Sequence, residues 1–260
     1  MLAVLKEIIH WRHLIFFLSV SFTKVKYKQT YLRFAWIILN PLATLVIFNF
    51  IFSRVASLPS EGVPYVIFNL TALAPWIFFS TSISCSVGAL TDNFNLITRI
   101  NFPRITLIFG SVLSSLYDCI VTYLIFIAFM KFYDIKLGMN AFYFFLIFFI
   151  QLIFTTGMCV LVSLLNVYLR DIQHAMFVVL QSWMLFSPVG YSSGIITGKV
   201  RDFYFLNPMA GILESYRDCL LHNRPPDWPN LLLAGLISLA IFVSGCYLFK
   251  RQEPNLSDIV

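Results

Sequence analysis

The side chains of this sequence that could do chemistry are few, and their spacing is wrong for it. Four histidines, His10, His13, His174 and His222, lack the His-Glu-x-x-His spacing that sets two imidazoles and a general base on one helical face. The five cysteines, Cys85, Cys119, Cys159, Cys219 and Cys246, fall into no metal or redox spacing and read as small apolar side chains. No Gly-x-Ser-x-Gly places a nucleophile on a strained elbow. The nearest match to a phosphate-binding loop, Gly194-Ile-Ile-Thr-Gly198-Lys199-Val200, is one residue short between its glycines and lacks the final Ser or Thr. Catalysis would fall to carboxylates such as Asp118, Asp171 or Glu214, as in a membrane enzyme acting on lipid-linked sugars. If the chain instead moves a solute uphill, the energy comes from outside it.

Composition decides what carries these groups. Of 260 residues 59% are hydrophobic and only 12% are charged, against about 25% charged in a soluble domain. The reading is an all-α polytopic membrane protein with one transmembrane domain over 1–260. Six transmembrane helices per subunit are expected at 34–53, 65–90, 105–130, 139–165, 175–193 and 230–249, each near the roughly 20 apolar residues that cross a bilayer core. Pro75, inside the second, predicts a kink.

Two segments depart from that pattern. In residues 1–33 the apolar run from Leu14 to Phe22 is too short to span, so they read as a cytosolic interfacial helix. Leu5, Ile8, Ile9 and Phe16 would face lipid or protein, and Lys6, Arg12, Lys24, Lys26, Lys28 and Arg33 would meet anionic headgroups. Residues 194–229 mix charge with apolar side chains. Asn207-Pro208 supplies a cap and a first-turn proline, so Met209 to Leu221, carrying Glu214 and Arg217, reads as a periplasmic re-entrant helix.

Six spans put both termini on one side. The short segments of that side hold Lys6, Arg12, Lys24, Lys26, Lys28, Arg33, Arg99, Arg104, Arg170, Lys250 and Arg251; the two short opposite loops hold Arg54, Lys131 and Lys136. Positive charge stays inside, so the termini are expected in the cytoplasm. The net charge of +6 is thus a membrane-border feature, and no nucleic-acid partner is expected.

Residues 91–104 then form a short cytosolic connector, yet they carry Leu96, Ile97, Ile100 and Phe102. Asn93 or Asn95 can cap a helical turn there, Pro103 stops it, and Leu96, Ile97 and Ile100 share a face at helical spacing. Two readings stand: a coupling helix that takes force from another protein, or a helix lying in the headgroup region. Asp118, within the third span, is costly in hydrocarbon by about 3 kcal/mol and needs a partner. A bond to another helix and a direct role in transport are its two readings. Arg170 and Asp171 mark a cytosolic junction after the fourth span.

Several ordered pieces carry a resemblance. They are Lys26-Tyr27-Lys28-Gln29-Thr30 with Trp36 and Asn40-Pro41, Ser60 to Tyr65, Pro75-Trp76 to Ser80, and Asn93-x-Asn95-Leu96-Ile97 with Phe102-Pro103-Arg104. Arg170-Asp171-Ile172, Ser187-Pro188-Val189 with Tyr191, and Asn207-Pro208-Met209 with Glu214 and Arg217 follow in order. Together they resemble the membrane subunit of ABC-2 type exporters of bacterial polysaccharides, chiefly the O-antigen permease branch (Wzm), with capsule (KpsM-like) and teichoic acid (TagG-like) permeases nearby.

That resemblance implies a homodimer in the bacterial inner membrane, bound to two copies of a separate ATP-binding subunit. The complex would export an undecaprenyl-diphosphate-linked polysaccharide, O-antigen first among the candidates. The chain itself would be no enzyme and hold no cofactor; ATP and Mg would sit in the partner subunit. Asn93, Asn95, Leu96, Ile97, Arg99, Phe102 and Arg104 would couple to the ATPase. The polymer path would lie between subunits, along spans one and five, where Trp36, Phe48, Phe52, Trp183, Phe186 and Tyr191 can stack on sugar rings; lipid-facing filler is the other account of these aromatics. Lys24, Lys26, Lys28 and Arg33 would draw in the lipid diphosphate, or serve as ordinary basic anchors. An ABC-2 permease for a small hydrophobic drug or lipid is the alternative within the same family.

Overall fold

The computed structural model of the chain describes residues 2–28, 35–56 and 59–255, and the regular structure among them is helical. Two helices open the chain, α1 (Leu2–His10) and α2 (Arg12–Lys28). The bundle follows as α3 (Ala35–Phe48), α4 (Tyr65–Val87), the short α5 (Phe94–Arg99), α6 (Ile105–Phe132) and α7 (Phe144–Tyr168). Then come α8 (Ile172–Leu185), α9 (Lys199–Tyr204), α10 (Pro208–Leu220) and α11 (Trp228–Gln252). A π-helical stretch, Asn49–Val55, prolongs α3, and a 3-10 turn, Met139–Tyr143, leads into α7.

Among the described residues five segments are long and apolar enough to cross a membrane: Ala35–Ser53, Tyr65–Val87, Ile105–Phe132, Met139–Tyr168 and Trp228–Gln252. The sixth apolar segment, α8, has 14 residues, shorter than the span expected at 175–193 and starting before it. Its sequence breaks at Ser187-Pro188, where the missing amide and the restricted preceding residue stop the helix.

Small residues let the helices approach. A Cβ on Gly157 of α7 would lie 2.7 Å from the Phe242 Cα of α11, and one on Gly245 would lie 3.2 Å from the Gly157 carbonyl, so these two backbones touch. Between α4 and α6 the Ser86 and Ser111 hydroxyls bond at 2.7 Å. Between α4 and α7 the Phe79 and Phe154 rings stack at 5.2 Å, and the Gln151 amide donates to the Pro75 carbonyl at 2.8 Å. Helix α10 wedges into this group: Met209, Ile212, Leu213 and Tyr216 are buried, and the Tyr216 hydroxyl donates to Gln151.

The amino-terminal region is not one surface helix. It breaks at Trp11, and α2 packs Ile15, Leu18 and Ser19 inward. Leu18 sits against Gly110, and Lys26 pairs with Asp118, each eight residues further along its helix. Helix α2 therefore climbs beside α6 in the same direction, by about 12 Å between these contacts. The cause lies in Gly110, whose bare backbone gives α2 a seat closer than a side chain would allow.

Candidate functional site

At one end of the bundle the connector folds into α5, six residues long, between α4 and α6. Asn93 occupies the position before it, but its amide donates backwards to the Ala89 carbonyl at 2.9 Å instead of accepting from the first turn; Asn95 lies within the helix. The helix is anchored from beneath. Ile97 and Phe102 are buried in the core, and Leu96 packs partly against it, whereas Phe94, Thr98, Arg99 and Ile100 face outward. The expected shared face of Leu96, Ile97 and Ile100 is thus divided, because the extended backbone at Ile100 turns its side chain away. The Asn166 amide reaches Thr91 at 3.4 Å while its carbonyl oxygen accepts from the Gln173 backbone, tying the connector to the exposed Arg170-Asp171 junction.

Sequence reasoning missed what lies beside α5. The Arg104 backbone amide donates to the Glu253 carboxylate at 3.2 Å, and its guanidinium to the Glu253 carbonyl. Lys250 bridges Glu253 at 2.9 Å and Glu7 at 2.6 Å. The ends of α1, α6 and α11 are thereby clasped around an open groove of about 570 Å³ lined also by Trp11, Phe102 and Pro103. The only signal in the sequence was an acid beside the closing basic pair Lys250-Arg251.

A second cleft, of about 290 Å³, opens between α2, α3, α4 and α6. Lys26, Trp36, Asn40, Pro41, Thr81, Asp118 and Thr122 line it. Asp118 is buried, and its carboxylate meets the Lys26 ammonium at 2.5 Å. Its ionisable partner comes from the amino-terminal helix, 92 residues away, rather than from another span. Lys24 is exposed, Lys28 closes α2, and Arg33 lies outside the described residues.

At the opposite end, the turn after α8 is held by a buried arginine. Arg217 donates from its two terminal nitrogens to the carbonyls of Val189 and Tyr191, both at 3.0 Å, and lies 3.9 Å over the Phe68 ring. Glu214 stands 3.4 Å away and accepts from the Ser193 hydroxyl at 2.8 Å. The Tyr65 hydroxyl donates to the Gly190 carbonyl at 2.5 Å. Glu61 accepts from Ser192 and meets His222 at 2.7 Å. Burial raises the Glu61 carboxyl, but the bonds from Ser192 and His222, with the charges of His222 and Arg217, outweigh it and hold the group below its ordinary 4.5.

The aromatics expected along a path are placed unequally. Phe48 and Phe52 pair at 5.2 Å and press on Gly190, where a Cβ would lie 2.8 Å from the Phe52 ring. Trp36 and Phe186 are exposed. The Tyr191 hydroxyl is engaged with Leu185 and Tyr204. Trp183 turns inward, edge-on to Phe79, with its indole donating to Asn207 at 3.0 Å. Trp183 is thus half-buried, with part of its ring packed on the bundle.

No group of three or more His, Cys, Asp or Glu side chains converges on a metal position among the described residues. Apolar helices of spanning length, interlocked by buried polar pairs, define a multi-pass helical membrane protein. The family model described as ABC-2 type transporter matches residues 14–221, and the chain belongs to that family of transport components.

The chain is similar to the O-antigen export system permease protein RfbA of Myxococcus xanthus, 25% identical over 262 residues that cover all of both chains. The protein of the same name from Klebsiella pneumoniae is 27% identical over 240 residues, 91% of each chain. The polysialic acid transport protein KpsM of Escherichia coli is 20% identical over 241 residues, 90% of this chain and 91% of its own.

Proposed function

We propose that this chain is the permease of an ABC exporter that carries a lipid-linked polysaccharide, O-antigen foremost, out of the cytoplasm. The substrate is linked to undecaprenyl diphosphate. The chain works as a homodimer in the inner membrane, with both termini in the cytoplasm. Helix α8 is the sixth span: its 14 residues rise about 21 Å, and the turn that Arg217 holds completes the crossing. Helix α10 is the re-entrant periplasmic segment. ATP and Mg bind the partner subunit, of which there are two copies.

The observation that carries the proposal is the two-sidedness of α5. A helix of six residues cannot persist alone, and here Ile97 and Phe102 hold it down while Phe94 and Ile100 stand out as apolar side chains on a connector. Such an element fits a groove in a second protein and passes displacement to α4 and α6. Matches over 91% or more of the chain to proteins named O-antigen export system permease support the cargo. Lys26, exposed to its cleft yet paired with Asp118, and Lys24 draw in the lipid diphosphate.

The test is transport of lipid-linked glycan into vesicles by the chain with its ATP-binding subunit. Phe94→Asp with Ile100→Asp alters outward side chains only, so insertion should persist while export and stimulated ATP hydrolysis fall to background. Undiminished export by that variant, or transport by the chain alone, overturns the proposal.

A further inference from the structure

A groove of about 410 Å³ runs between α4 and α8. Its α4 wall is Trp76, Ser80, Ser84 and Val87; its α8 wall is Gln173, Phe177, Gln181 and Met184. Both walls repeat at three- and four-residue steps, so each is one helical face. Gln173 and Gln181 are exposed, and neither carboxamide side chain is bonded to another described residue. They stand eight residues apart, about 12 Å along α8. The Ser80 and Ser84 hydroxyls donate to the carbonyls of Ile77 and Ser80, which leaves their oxygens as outward acceptors. Neither α4 nor α8 contains Asp, Glu, Lys or Arg.

Lipid is a poor occupant for this surface, because the carboxamide of Gln181, ten residues past the exposed Asp171, would forfeit its hydrogen bonds in hydrocarbon, while Gln173 sits beside that junction at the membrane border. A hydrophobic drug would leave them equally unpaired. An anionic polymer would find no cation in the groove, and its charges would be desolvated without compensation. What matches amide donors and acceptors, hydroxyl acceptors and the exposed aromatic ring of Phe177 is a chain of uncharged sugars, whose hydroxyls both donate and accept and whose C–H faces stack on rings.

We infer that the α4/α8 groove is a track for the neutral sugar hydroxyls of the exported polymer, with Gln173 and Gln181 as its two principal contacts. This rests on the export reading and adds a substrate class to it: uncharged glycans pass and polyanionic ones do not. The two amides offer weak, repeated bonds, so a polymer can advance from one to the next.

The experiment uses the complex of this chain with its ATP-binding subunit in vesicles. Gln173→Leu with Gln181→Leu should lower export of a neutral lipid-linked glycan about tenfold, the effect of two lost hydrogen bonds, with basal ATP hydrolysis unchanged. The unaltered complex should export a neutral glycan at least about tenfold faster than a polyanionic one of equal length. Export by the double variant within twofold of the unaltered complex would overturn the track, as would near-complete disulfide formation between two Gln181→Cys copies at rest, which would put a second subunit in the groove. Equal rates for the neutral and polyanionic polymers would overturn the substrate class. Absence of any glycan export by the unaltered complex would instead defeat the export reading beneath it.

Discussion

Arg217 is the side chain whose loss should cost the far end of the bundle most. It is buried to 1% exposure and bonds two carbonyl oxygens of the 187–193 turn at 3.0 Å each. A hydrogen bond from a charged donor contributes about 1.5 to 3 kcal/mol, so two contribute roughly 3 to 6. Against that stands the cost of burying the guanidinium, which removal would relieve, and its Nε–H has no partner among the described residues. Glu214, at 3.4 Å and partly exposed, adds little. Arg217→Met keeps most of the volume but leaves both carbonyls orphaned at about 1 to 3 kcal/mol each, so after the relieved burial of the charge a net loss of about 3 kcal/mol is expected. Denaturant titration of the complex in mixed micelles would measure it. Arg217→Lys, with a point charge in place of the fork, should fall between the two. If Arg217→Met unfolds within about 1 kcal/mol of the unaltered chain, the arginine offsets its own desolvation and no more, and the turn is held instead by Tyr65 on Gly190 and by the Asn207 amide, which donates to the Ser187 hydroxyl at 2.9 Å.

Three further outcomes follow from named contacts. Gly157→Val should sharply reduce folded yield on size-exclusion chromatography, because its Cβ would meet the Phe242 backbone at 2.7 Å, whereas Gly235→Ala, whose nearest neighbour is a flexible Ile150 methyl at 3.7 Å, should fold normally. Glu253→Ala should open the clasp to Arg104 and Lys250 and lower export per ATP hydrolysed severalfold in vesicles; an unchanged ratio would make the clasp a local brace only. The folded Glu61 carboxyl lies below 4.5, so its ionised form favours the fold: this contribution is complete above 4.5 and disappears as pH falls through the lower folded value. Glu61→Gln should therefore unfold more easily than the unaltered chain at neutral pH and indistinguishably in strong acid.

Helix positions were legible because apolar runs bounded by Pro, Gly and charge announce themselves. So was the start of α10, where the Asn207 side chain accepts from the Met209 amide above a first-turn proline. The facing of the helices was not. In segments apolar all round, such as α4 and α7, no polar side marks the exterior. Hence the inward turn of Trp183 and the division of the connector's apolar residues could not be read. Asp118 needs a partner, but the sequence pattern puts Lys26 on a headgroup-facing surface, and only the ascent of α2 past Gly110 brings them together.

These contacts separate the subunit into a tight part and a loose one. Helices α4, α6, α7, α10 and α11 interlock through glycine contacts and buried hydrogen bonds, and α2 is seated on α6. By contrast α3 buries only Pro41 and Leu45, and α8 only Met176 and Leu180. Both loose helices are fastened at the far end, where Phe48 and Phe52 press on Gly190 and Arg217 grips the turn after α8. On the proposed coupling, a push on the connector would reach α11 through Arg104 and Glu253 and move the tight part as a body. The relative displacement would then fall where packing is sparse, between that body and the near ends of α3 and α8. The groove that carries Gln173 lies on this boundary, so each push should shift its walls past one another. Cross-linking Ser84→Cys to Gln181→Cys within one chain should therefore stop export while leaving the 187–193 turn undisturbed.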